Sequence, residues 1–217
     1  AISSALKGLN TFGVQHSMIT KSHSVYHISD KETNHINKND GLPLPHQFIV
    51  WGDYFKKQFL SHNSLKDNFV YVAGNPTYIN RSNHVEIKNN DYLEILYCLT
   101  TPKIFAKEKN ILKDTLESIP NLRLKIRFHP SWKFSTDLVL DSFKNINITF
   151  SNEKSIFNAI IKSSLVLAGS HSGVWLDSIV ANKPVIRLIT SFKDNIAQDG
   201  LVINVENENE MGSALTK

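Results

Sequence analysis

The chain has 217 residues, 41% hydrophobic and 20% charged, a globular composition with apolar material for one domain or two small ones. Lys and Arg number 24 against 20 Asp and Glu, and the formal charge of +4 is scattered rather than blocked, which argues against a nucleic-acid binder. No run approaches the roughly 20 apolar residues of a membrane-spanning helix, no signal-peptide pattern opens the chain, and the single Cys98 excludes an internal disulfide or a Cys-cluster zinc site, so a cytoplasmic location is expected.

Residues 11–15 (TFGVQ) form a short β-type run that stops at His16-Ser17, and the polar stretch after it predicts a long loop. After GLPLPHQ, residues 48–52 (FIVWG) predict a strand and 53–60 (DYFKKQFL) a helix capped by Asp53. NFVYVAGNP and YLEILYCLTTP predict two further strands. A helix follows in KEKNILKDTLESI. In 122–130 (LRLKIRFHP), Leu122, Leu124, Ile126 and Phe128 alternate with polar residues until His129-Pro130 stops the strand.

Then come a helix around LVLDSFKN, a strand NITF, a helix SIFNAIIKSS and a strand LVLAG. A helix SGVWLDSIVAN, a strand KPVIRLI and a late strand GLVINV complete the alternation, before a polar C-terminal segment. Strands alternating with helices predict parallel β-α-β units, an α/β class. In such sheets ligands gather at the carboxyl ends of the strands near the topological switch point, so the residues just after each strand carry the functional information.

The strongest local pattern is LVLAGSHSGVWLDSIVANKPVI. A Gly/Ser turn feeding a helix presents backbone N–H groups and two hydroxyls to an anion, which makes Ser170, Ser172 and Gly173 candidate phosphate contacts. Asp177, seven residues after Ser170, returns to the same helical face and could accept from a ribose hydroxyl. The plainer reading, in which Ser172 caps the helix and Asp177 is solvated, stays open. Neither a Walker loop nor a Gly-x-Gly-x-x-Gly fingerprint is present.

His129, held at a strand end by Pro130, could donate to a phosphate oxygen, and Arg127 either adds positive charge or lines the sheet. His16 is of the type suited to a general base near pH 7. His23 and His27 have the spacing of a metal pair but no further ligand nearby, so no metal is expected. Trp51, Trp132 and Trp175 are expected as core or cleft-wall aromatics.

In this order, GVQHS, FIVWG, VAGNP, ILYCLTTP, RFHP and SHSGVWLDSIVANKPVI resemble bacterial surface-carbohydrate transferases of GT-B type, the CDP-glycerol glycerophosphotransferase-like group and the HP-motif capsule or lipopolysaccharide glycosyltransferases among them. The resemblance implies a Rossmann-like parallel sheet in a C-terminal nucleotide-binding domain (83–217), preceded by the tail end of an N-terminal acceptor-side domain and linker (1–82). It implies His16 as the base acting on the acceptor, although Ser17 stands where the pattern has Gly. It also implies donor contacts from His129, Ser170, Ser172, Gly173 and Asp177, with Thr100 and Thr101 as further ones.

The implied activity is metal-independent, inverting transfer of a sugar or polyol phosphate from a nucleotide-activated donor to a surface-glycan acceptor. No cofactor and no nucleic acid are implied, and peripheral contact with the inner face of a membrane stays open. A nucleotide-sugar 2-epimerase-like isomerase and a non-catalytic nucleotide- or glycan-binding subunit are the alternatives. Ten residues precede TFGVQHS and Ala1 is not an initiator Met, so a longer parent protein is expected.

Overall fold

Period-two alternation in LRLKIR sends Leu122, Leu124 and Ile126 to one face of the sheet and Arg123, Lys125 and Arg127 to the other. The computed structural model describes residues 9–19, 24–28, 44–78, 91–190 and 202–216. The chain divides into two units, Ala1–Arg81 and Ser82–Lys217. The boundary expected at 82/83, most of the loop after His16, and His23 lie outside the described residues.

In the first unit, β1 (Phe12–Val14), β2 (Gln47–Val50) and β3 (Val70–Val72) pair in parallel in that order. Between β2 and β3 runs α1 (Asp53–Ser61), which buries Phe55 and Phe59. Its N-cap is Gly52 rather than the expected Asp53, which occupies the first helical turn where its charge suits the dipole.

The second unit is a six-stranded, wholly parallel sheet. Its strands are β4 (Leu93–Cys98), β5 (Leu122–Arg127), β6 (Asn147–Phe150), β7 (Leu165–Gly169), β8 (Val185–Leu188) and β9 (Ile203–Val205), in the spatial order β6-β5-β4-β7-β8-β9. The connecting helices are α2 (Pro102–Glu117), α3 (Thr136–Ser142), α4 (Ile156–Lys162) and α5 (Val174–Val180). A final α6 (Glu208–Leu215) forms where the sequence predicts only a polar segment. There Asn207 caps it by accepting from the Glu210 amide while Glu210 reaches back to the Glu206 amide, a variant of the capping box.

The main core cluster lies on one face, where Ile95, Tyr97, Leu124, Ile126, Leu167 and Leu188 pack with the apolar stripes of α2, α3 and α6. Each large apolar side chain buried there contributes about 1.5–3 kcal/mol. Helix α2 is defined by local chemistry: Thr101 accepts from the Ile104 amide and Pro102 opens the first turn. Helix α5 packs on β7 and β8 from the opposite face.

Cationic side chains of β5 on that second face are each engaged. Arg123 lies 3.9 Å from the centroid of the Tyr92 ring, and Lys125 pairs with Glu94 at 2.5 Å. Among the described residues no helix is long and apolar enough to cross a membrane.

Candidate functional site

From β4 the chain builds outward through β5 to β6, then returns to the other side of β4 to add β7, β8 and β9. The order reverses between β4 and β7, the switch point beyond whose strand ends open α/β sheets place their ligands. The residues that follow the two strands there are Thr100-Thr101 after β4 and Ser170 to Gly173 after β7. The side-chain hydroxyls of Thr100, 9% exposed, and Ser170, 5% exposed, are buried there with no hydrogen-bond partner among the described residues. A buried hydroxyl left so costs about 1–3 kcal/mol.

The turn after β7 is held by its own backbone. The Ser170 amide donates to Leu188 O, the Ser172 amide to Gly169 O, and the Val174 amide to Ser172 Oγ at 3.3 Å. Ser172 thus does part of the plainer capping task, although the N-cap position itself is Gly173. Its hydroxyl accepts there, leaving its proton for an oxygen outside the turn. Because α5 spans only seven residues, the turn presents hydroxyls and amides rather than the dipole of a long helix.

His129 is exposed at the end of β5, two strands away from β7 and not on its neighbour. At roughly 4.8 Å per strand the axes lie about 10 Å apart, so a ligand held by both His129 and Ser170 must span the end of β4 and pass Thr100. Nδ1 of His129 accepts from the Ser131 amide, which leaves the proton of the neutral ring on Nε2 as an outward donor. Arg127 instead ties down the chain before α4, its Nη1 donating to Ser151 Oγ and Glu153 O. That supports the sheet-lining alternative for its side chain. Trp132 is half exposed just beyond His129 while Trp175 is buried, so the three tryptophans do not share one role.

Two buried groups lie below these strand ends. Cys98 is pushed up to about 12, first by burial, with Arg127 opposing and Asp177 adding to the rise. The half-buried Asp177 therefore acts electrically on the end of β4 as well as sharing α5 with the turn. On the core face, Tyr97 donates to Glu108 Oε2 at 2.7 Å, and Glu108 Oε1 faces Gly169. Burial raises the Glu108 carboxyl to about 7, the Tyr97 bond opposing, and burial beside Glu108 raises the Tyr97 phenol well above its usual range.

Glu108 is absent from the sequence-derived site because KEKN reads as a solvated stretch. Its spacing from Phe105 and Leu112, three and four residues, was the available signal, since it places Glu108 on the buried stripe of α2. Arg187 is a second such residue, fully buried on β8 with its guanidinium 5.7 Å from the Trp175 ring centroid.

In the first unit the turn after β1 is stapled by buried Gln15. Its amide side chain accepts from the Trp51 backbone amide and donates to Ser17 O, each at 2.9 Å. Among described non-glycine residues only Asn121 and Asn182 have positive φ, so Ser17 replaces Gly without strain. The exposed His16 turns its Nδ1 toward Tyr26 Oη at 3.1 Å. His27 stacks on His62 with ring centroids 5.0 Å apart, and the described residues contain no cluster of three or more His, Cys, Asp or Glu arranged for a metal.

No family model matches the chain, and neither does any curated protein. Solved structures share its fold. Staphylococcus aureus MnaA with UDP is 15% identical with a TM-score of 0.66, over 99% of this chain and 62% of that one. The Methanocaldococcus jannaschii UDP-GlcNAc 2-epimerase in complex with UDP-GlcNAc and UDP is 14% identical with a TM-score of 0.62, over 99% and 64%. The glycotransferase of kitacinnamycin is 8% identical with a TM-score of 0.60, over 99% and 63%. The chain spans less than two thirds of the length of each. At these identities the likeness establishes the Rossmann-like α/β architecture of GT-B proteins.

Proposed function

We propose that the Ser82–Lys217 unit binds the nucleotide diphosphate of an activated sugar, and that the protein transfers the sugar, or a polyol phosphate, to a glycan acceptor in bacterial surface-polysaccharide synthesis. The observation that carries this is the pair of buried, unpartnered hydroxyls, Thr100 and Ser170, just beyond the ends of the two strands that flank the switch point of a parallel sheet. A diphosphate supplies several acceptor oxygens for such donors. It also spans from the Ser turn across β4 toward His129. The UDP complexes of two proteins with this fold favour uridine as the base.

In this reading catalysis is electrostatic. The Ser170, Ser172 and Thr100 hydroxyls, the turn amides around Gly173 and the Nε2–H of His129 stabilise the charge that develops on the departing nucleotide, a diphosphate when a sugar is transferred and a monophosphate when a polyol phosphate is, fixed in place before the bond breaks. Asp177 serves the ribose, and His16 is the acceptor-side imidazole. Fixed donors take the role of a divalent cation, and a single displacement inverts the sugar.

Thermal unfolding of the full chain against UDP, CDP, CMP, GDP and their sugar conjugates tests donor binding, because a ligand of the folded state raises its apparent stability. A rise with one nucleotide family supports the reading, and no rise with any overturns it. Turnover of the bound conjugate with and without acceptor, in chelator, then separates transfer from epimerisation, which needs no acceptor. It also separates both from binding without chemistry.

A further inference from the structure

We infer that the nucleotide site is proton-linked through Glu108: the diphosphate binds the form in which this buried carboxyl holds a proton, so that binding to the ionised form takes one up and affinity falls as pH rises. This rests on the placement of the diphosphate at Thr100 and Ser170 proposed above and assigns the group that regulates it.

Glu108 is wholly buried in the middle of α2. Tyr97 donates to its Oε2, while Oε1 is buried without a partner among the described residues. Oε1 fills the space over Gly169 that a side chain would take, and the Thr100 methyl closes on the same space. The carboxyl is thus packed against Thr100 itself and against the residue that precedes Ser170, the two positions whose hydroxyls lack partners.

Among the described residues no cation offsets a charge there. The titratable group that β4 turns to this face is the Tyr97 phenol, and β7 presents Gly169. Strands β5 and β8 turn Leu124, Ile126, Ile186 and Leu188 to it. On α2 itself Lys107 is exposed and Lys109 half-buried, while α6, packed on α2, carries Glu208 and Glu210, both exposed and both acidic. Arg187 alternates with Ile186 and Leu188 and so lies, with Asp177 of α5, on the opposite face of the sheet.

An ionised Glu108 has one hydrogen-bond donor and no counterion, so burial disfavours its charge and raises the carboxyl to about 7. A diphosphate beyond the ends of β4 and β7 adds negative charge to the same low-dielectric region. That disfavours the carboxylate further and leaves the neutral acid untouched. The two anions therefore exclude one another. When ligand meets the ionised form, one proton passes from solvent to the Glu108 carboxyl and no other bond forms or breaks.

The test is calorimetric titration of the full chain with UDP-GlcNAc at pH 6, 7 and 8, each in two buffers of different ionisation enthalpy. Affinity is expected to fall about tenfold from pH 6 to pH 8, with uptake of about one proton at pH 8, as linkage requires of a single group ionising near 7. Glu108→Gln, uncharged at every pH and still an acceptor for Tyr97, should hold its affinity to pH 8. Tyr97→Phe removes the donor that favours the carboxylate and should move the fall to higher pH, whereas a merely structural loss would lower affinity equally throughout. Binding by the wild type without proton uptake at pH 8 overturns the inference, as does one pH profile shared by the wild type and Glu108→Gln. Absence of binding in both proteins at every pH overturns the donor reading and this inference with it.

Discussion

Glu108 Oε1 lies 2.6 Å from the point that a β-carbon on Gly169 would occupy, with Thr100 Cγ2 at 3.3 Å from the same point. The last residue of β7 is thus glycine because a buried carboxyl on α2 fills its side-chain space. That carboxyl cannot simply rotate away, since its other oxygen is tied to Tyr97.

Gly169→Ala is therefore expected to push Glu108 off Tyr97 and shift the start of the Ser turn, costing about 1–3 kcal/mol of stability as overpacking does. Glu108→Ala costs stability by itself but removes the obstacle, so the double variant should be more stable than the sum of the two single losses. Urea denaturation of the four proteins measures the coupling. Additive losses would mean that the two residues do not compete for the same space.

The Glu108 carboxyl also makes stability depend on pH. It ionises near 7 in the folded protein against an ordinary value of 4.5. Between these values the unfolded chain gives up the proton and the folded one keeps it, so stability is greatest at the acid end and falls as pH rises through 7, by on the order of 3 kcal/mol in all. Glu108→Gln, which cannot ionise, should flatten that fall between pH 5 and 8 in urea midpoints. A slope unchanged from wild type would assign the pH dependence to other groups.

Ser170→Ala and Thr100→Val remove hydroxyls that have no partner among the described residues. Each should leave the melting temperature unchanged or raise it, because a desolvated polar group is deleted. Each should also weaken nucleotide binding about tenfold, the equivalent of one hydrogen bond of about 1.4 kcal/mol. Calorimetric titration against unfolding in the same buffer checks both halves. Lost stability with unchanged affinity would place these hydroxyls outside the ligand contact.

Thr101 separates capping from binding at the same strand ends. Its hydroxyl already accepts from the Ile104 amide, so Thr101→Ala should cost about 1 kcal/mol of stability and Thr101→Ser little. If the cap is its main task, affinity for the nucleotide should follow helix position and recover fully in Thr101→Ser, as titration of both variants will measure.

Much of the fold is legible along the chain because its signals are local. Leu122, Leu124 and Ile126 alternate at the period of a strand, Thr101-Pro102 start a helix, and Pro130 ends a strand, each decided by neighbours a few residues away. The Asn207 to Glu210 cap of α6 is equally local but is masked by polar residues all around it, while its burial of Met211 and Ala214 depends on a core assembled from distant segments.

What the amino-acid order determined by itself was the alternation of strand and helix and the placing of Ser170 to Gly173, Thr100 and His129 after strand ends, since backbone propensity and side-chain period act within one turn. Only the tertiary structure decided strand order, and with it that β4 stands between β5 and β7, that Glu108 fills the space over Gly169, and that Tyr26 meets His16. Those pairings join residues 10 to 61 positions apart, and their energies arise from burial and hydrogen bonds that exist only after the chain has closed on itself.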